Sequence, residues 1–268
     1  MTISSSNPFT ARFRVLSQPE RPNAASGDDG CPTVYWFNHA GGTTNTLAFR
    51  IRSDPPPRPM RLLTPRLPER EEDLDVTFDG DLEQLAQKFA TQIAADYGTE
   101  SADQPPPLVI VGHSYGGAVA YRVTKQLTRL GISPHRLVIC STRSPERLRY
   151  HKSLHTLDDA ELIEDVDELF GGIPDNIRAD ADALNFFVRA LRHDLAIFES
   201  YVHPPGDETL AVPITAICGT DDRAIDLADM QGWSRMTSAA FRLRAIQGDH
   251  FAPLQRIAEV LEIATWDL

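Results

Sequence analysis

Leu108-Val-Ile-Val-Gly112-His-Ser114-Tyr-Gly116-Gly117 decides the architecture. Four apolar residues without polar alternation suit a strand buried on both faces of a parallel sheet. Two glycines then bracket Ser114, and Gly117 to Leu130 reads as a helix stopped by Gly131. A chain that turns directly from strand to helix is strained at the residue between them. Gly112 and Gly116 leave room where side chains would collide, so the Ser114 hydroxyl is lifted above the sheet. The first amides of the helix lie close to any oxyanion that forms there. Gly-x-Ser-x-Gly alone arises by chance; the strand before it and the helix after it give it meaning.

Working outward, further short apolar runs read as strands: Val34–Asn38, Met60–Thr64, Leu137–Ser141, Ile214–Cys218 and Phe241–Ile246. Between them lie helical stretches, such as 81–95 with apolar positions Leu82, Leu85, Phe89, Ile93 and Ala94. Strands alternating with helices predict an open, doubly wound α/β sheet. Two stretches break the rhythm. Residues 1–30 are rich in Ser, Pro, Asn, Gly and Asp and predict a loop-rich arm ahead of the main domain, 31–268. From about Ser144 to Pro205 the pattern is helical only. Thr156 is the expected cap of a helix carrying Leu157, Ala160, Ile163, Val166 and Phe170, stopped by Gly171-Gly172. A second helix carries Leu184, Phe187, Val188, Leu191, Leu195 and Phe198. An insertion there is expected over the strand ends, where ligands bind in such sheets.

A serine hydroxyl needs a base. Phe241–Ile246 runs into Gly248-Asp-His250, which places His250 at the C-terminal edge of the last strand. The base needs an acid to hold its tautomer. Ile214–Cys218 runs into Gly219-Thr-Asp221-Asp222, and spacing alone does not separate the two carboxylates. The order Ser, Asp, His is that of α/β-hydrolases. Tyr115 follows the nucleophile and supplies one oxyanion-hole N–H. The Gly-rich loop Asn38-His39-Ala40-Gly41-Gly42 supplies the other, expected from Ala40. His39 reads as a support for that loop. His113 is directed away from Ser114 by the turn. His151 and His155, four apart, read as an exposed or capping pair rather than metal ligands, and His135 and His193 read as structural.

Composition narrows the chemistry. A net charge of −12 repels nucleic acid and anionic membrane and favours a small neutral substrate or a protein partner. Three widely spaced cysteines make neither a disulfide framework nor a zinc site, and no cofactor or metal is assigned. No apolar run is long enough to span a bilayer, and the polar N-terminus lacks a signal peptide's apolar core, so a cytoplasmic protein is expected.

Seven segments together resemble the stand-alone type II thioesterases of polyketide and nonribosomal peptide assembly lines: Phe37-Asn-His-Ala-Gly-Gly42, Leu67-Pro-Glu-Arg-Glu71, Gly112-His-Ser-Tyr-Gly-Gly117, Ser141-Thr-Arg-Ser-Pro145, Leu191-Arg-His-Asp194, Gly219-Thr-Asp-Asp222 and Gly248-Asp-His-Phe251. The resemblance runs from about Thr33 to the C-terminus. It implies an α/β-hydrolase fold with a mostly parallel sheet and a helical lid over about 144–205. It also implies hydrolysis of acyl thioesters, and it selects Asp222 over Asp221. Its implied partner is an acyl or peptidyl carrier protein bearing an acylated phosphopantetheine arm. Such carriers are acidic, and Arg147 and Arg149, in a basic run leading into the lid, are the expected docking residues. Asn38 stands where the family usually has Pro, Glu69 where Gly is common, and Arg223 where Pro is common; the long arm is also unusual. Two alternatives share these residues: acyl transfer to an internal hydroxyl or amine, and a carrier-binding module without catalysis.

Overall fold

The computed structural model describes residues 7–19, 31–98, 105–148 and 152–268. Seven strands form one sheet: β1 (Arg12–Ser17), β2 (Thr33–Phe37), β3 (Arg61–Arg66), β4 (Leu108–His113), β5 (Arg136–Cys140), β6 (Ile214–Gly219) and β7 (Phe241–Ile246). Their spatial order is β1-β3-β2-β4-β5-β6-β7. Only β1 runs antiparallel to its neighbour. Every residue of β2, β4, β5 and β6 is buried, as uninterrupted apolar runs require.

Alternation along β2 splits the interior in two. Tyr35 and Phe37 join the core on the side of α2 (Leu82–Gly98) and α3 (Tyr115–Arg129). Val34 and Trp36 join the core on the side of α1 (Thr44–Ser53) and a C-terminal helix, Ile257–Thr265. The doubly wound α/β sheet inferred from the sequence is present, with each expected strand displaced by two residues or fewer at either end.

The stretch expected to be a loop-rich arm is corrected in part: Arg12–Ser17 is an edge strand of the main sheet. Phe13 packs edge-on against Tyr35, ring centres 4.7 Å apart, and at a tilt against Phe89 at 5.4 Å. Its arginine neighbours, Arg12 and Arg14, mask an apolar position that a half-buried edge strand needs only on alternate residues.

The segment between β5 and β6 holds α4 (Asp159–Phe170), a single turn at Asp175–Arg178, and α5 (Ala181–Ser200). The cap of α4 is Asp158, whose carboxylate accepts from the Glu161 N–H at 2.9 Å. Thr156, the expected cap, instead ends a preceding turn at Leu154–Thr156. The two helices enclose a small core of their own around Leu162, Val166, Val188, Leu191 and Leu195, against which Ala40 packs. Among the described residues no helix is long and apolar enough to cross a membrane.

Candidate active site

Ser114 occupies the turn between β4 and α3 at φ 54°, ψ −123°, a conformation that L-residues rarely adopt. The surroundings enforce it. A side chain at Gly112 would place its first carbon 2.2 Å from the Gly116 carbonyl, and one at Gly116 would lie 2.2 Å from the Phe37 carbonyl. The Ser114 N–H donates to the Cys140 carbonyl at 2.8 Å. Its own carbonyl accepts from Gly117 N–H at 2.8 Å and from the Thr142 hydroxyl at 2.6 Å. Thr142 was not singled out from the sequence, although it lies within one of the segments that carried the resemblance.

His250 and Asp222 converge on Ser114 from the ends of β7 and β6. His250 Nε2 is 3.0 Å from Ser114 Oγ, and His250 Nδ1 is 2.9 Å from Asp222 Oδ2. The Ala224 and Ile225 N–H groups donate to the other carboxylate oxygen of Asp222 at 3.0 and 3.1 Å. Burial opposes ionisation of this carboxylate. The bond and charge of His250 and the two amides outweigh burial and hold it below the usual range. An ionised Asp222 only accepts, so His250 Nδ1 carries the hydrogen and Nε2 is the atom turned to the serine. Asp221 is exposed, with Thr220 Oγ1 3.1 Å from its carboxylate. The geometry thus separates two carboxylates that spacing could not.

The histidine backbone is fixed as well. Buried His113 donates from Nε2 to the His250 carbonyl at 2.8 Å. Desolvation, then the nearby charge of His250, hold the His113 pKa well below that of a free imidazole, so the ring is neutral. Phe170, at the end of α4, lies 4.8 Å from the His250 ring. His193 and His135 bond to backbone groups, and His155 pairs with Glu199. His151 and Arg149 lie outside the described residues. Arg147 is exposed on a turn after β5.

The loop after β2 abuts the serine turn. Phe37 is in register with Gly112, and the Asn38 carbonyl would meet a side chain at Gly116. His39 Nδ1 bonds the Ala40 carbonyl at 2.9 Å, and Gly42 N–H donates to the His39 carbonyl at 3.0 Å. Asn38, which the resemblance would have led one to expect as Pro, donates to the Thr43 carbonyl at 2.9 Å and holds the far end of the loop. Among the described residues, the N–H groups of Ala40 and Tyr115 have no hydrogen-bond partner.

Comparison with known proteins gives the family. The model of the thioesterase domain family matches residues 32–266. Thioesterase PikA5 of Streptomyces venezuelae is 31% identical over 214 residues, which cover 80% of this chain and 72% of that one. A probable cadicidin biosynthesis thioesterase of Streptomyces griseus is 31% identical over 154 residues, 58% of this chain but only 42% of that protein's length. In fold, the chain is similar to YbtT, a type II thioesterase from the yersiniabactin NRPS/PKS pathway, with a TM-score of 0.79 at 24% identity over 94% of this chain and 95% of that one. With the family model spanning nearly the whole of the sheet and both helical layers, the chain belongs to the thioesterase domain family.

Proposed function

We propose that this protein hydrolyses acyl thioesters carried on the phosphopantetheine arms of assembly-line carrier proteins, clearing aberrant acyl groups, and that it does so in the cytoplasm. The observation that carries the chemistry is the chain of contacts from Asp222 through His250 to Ser114. In this reading Ser114 Oγ attacks the thioester carbonyl while His250 Nε2 takes its proton. The developing oxyanion is met by the N–H groups of Ala40 and Tyr115. The pantetheine thiol leaves with the proton from His250. Water then attacks the acyl-serine by the same route in reverse, releasing the acid. Residues 31–268 are the thioesterase domain, and the helices within about 144–205 are its lid.

The carrier reading rests on the relatives above and on the sequence. Arg147 and Arg149 are proposed to receive the acidic carrier at the mouth of the lid. One experiment tests both parts. Wild type, Ser114→Ala and the pair Arg147→Glu with Arg149→Glu are incubated with acyl-carrier thioesters and with a small acyl thioester that lacks the carrier, and products are read by mass. Ser114→Ala should lose about 10⁶-fold in kcat on both substrates. The arginine pair should lose kcat/KM on the carrier substrate alone. A cyclic product, or an active Ser114→Ala enzyme, overturns the hydrolytic assignment. Equal rates for the arginine pair and wild type on the carrier return those residues to solvent.

A further inference from the structure

We propose that the buried Arg70–Asp194 ion pair positions the oxyanion loop, tying it to the lid helix and reserving the Ala40 N–H for substrate; this rests on the proposed roles of Ser114 and Ala40. Asp194 lies on α5, 124 residues beyond Arg70, yet the two meet as a two-pronged pair at 2.7 and 2.9 Å with almost no exposure of either side chain. Each also grips the loop after β2. Asp194 Oδ2 accepts from the Gly41 N–H at 2.8 Å, and Arg70 Nη1 donates to the Gly42 carbonyl at 3.0 Å. Three segments distant in sequence are therefore joined at one point.

The partition of the loop's amides follows from these bonds. Gly41 N–H points to Asp194, and Gly42 N–H turns back to the His39 carbonyl. The Ala40 carbonyl is held by His39. Of Ala40, Gly41 and Gly42, Ala40 is the residue whose N–H is left for a ligand among the described residues. Gly41 itself is at φ 72°, and a side chain there would lie 2.9 Å from the Phe187 ring of α5, so the loop is pressed against the helix as well as bonded to it.

The segment that delivers Arg70 is built for the purpose. Its neighbours Glu69 and Glu71 hold left-handed backbone, at φ 62° and 54°, a strain that tends to gather where function requires a set geometry. Glu69 pairs with Arg189 of α5 at 2.9 Å. Glu71 takes the Thr44 and Asn45 N–H groups at 3.1 and 2.9 Å, clamping the start of α1 just past the loop. A buried ion pair is weak support for stability, because apolar residues of similar size often replace one without loss. Its third partner, the loop backbone, is what apolar residues cannot supply.

That difference gives the test. Arg70→Met with Asp194→Leu removes both charges together and should leave the thermal midpoint close to that of wild type. It should lower kcat by about 10²–10³-fold, the effect of losing one oxyanion donor. KM should stay within a few fold. Affinity for an acyl trifluoromethyl ketone, which forms an oxyanion on Ser114, should fall in parallel with kcat, whereas affinity for a non-reactive thioether analogue of the substrate should not. A folded double variant with kcat within threefold of wild type overturns the proposal. If the variant does not fold, amide NMR of wild type decides: adding the ketone should shift Ala40 and Tyr115 downfield and leave Gly41 in place, and a Gly41 amide that moves to the ligand overturns it. Wild type that binds the ketone at Ser114 but hydrolyses no acyl thioester would sink the proposed function and leave this inference standing.

Discussion

At the scale of single residues, the site is decided by which of two adjacent carboxylates faces His250. Asp222 has both oxygens engaged, one by His250 and one by two backbone amides, while Asp221 is exposed. Asp222→Asn offers an amide in place of an acceptor pair and favours the wrong imidazole tautomer. It should lower kcat by about 10⁴-fold. Asp221→Asn should change kcat by less than threefold, and steady-state kinetics on one thioester settles the ranking. Ser114 and His250 were legible because each stands at the end of an apolar run beside glycines. Asp222 was legible only through resemblance, since one residue of difference in a turn leaves no mark on spacing. Glu69 is instructive in the opposite sense. Its left-handed backbone explains why glycine is common at this position, and its pairing with Arg189 shows what the glutamate adds.

Among the elements, α3 and α4 differ most in how they are anchored. In α3, twelve of fifteen residues are buried against the sheet and α2. In α4 only Leu162 and Val166 of twelve are. An element with few buried contacts opens at lower free energy, and lids are drawn from such elements. Hydrogen exchange followed by mass spectrometry should therefore find α4 exchanging faster than α3, and α4 should slow when an acyl phosphonate occupies Ser114. Equal protection of the two helices, unchanged by the phosphonate, would deny α4 the role of lid. Strands were the most legible elements, since burial on both faces leaves unbroken apolar runs. The strand Arg12–Ser17 escaped because an edge strand shows only alternate apolar positions, and here arginines fill the others. The cap of α4 was misplaced because Thr156 and Asp158 are both competent caps, and only the fold of the preceding turn chooses between them.

Across the whole molecule, buried imidazoles make stability depend on pH. Burial keeps His113 neutral and lowers the His39 pKa to about 4. In the unfolded chain both titrate near 6.5. Between about pH 6.5 and 4 the unfolded chain therefore binds protons that the folded protein does not, and stability falls as the pH falls. Above about 6.5 these groups contribute no slope. Burial opposes protonation of His193, but the Asp194 carboxylate 3.9 Å away and the bond to the Phe78 carbonyl raise its pKa, so its contribution is complete by about 6.5 and does not offset the loss below. Asp194 and Asp222, both held low, add their loss only below about pH 4. Urea midpoints at pH 7, 6 and 5 should descend in that order, and a level series would show that the imidazoles are not kept neutral. None of this long-range arrangement was legible locally: Arg70 and Asp194 each sat in a segment that carried the resemblance, but no periodicity links residues 124 apart. Their union has a bearing on how such enzymes diversify. Swapping α4 between relatives exchanges the Phe170 contact with the His250 ring and little else. Swapping α5 also exchanges the carboxylate that sets the neighbouring loop, so a graft of that helix succeeds only when its donor brings an aspartate in register with Arg70.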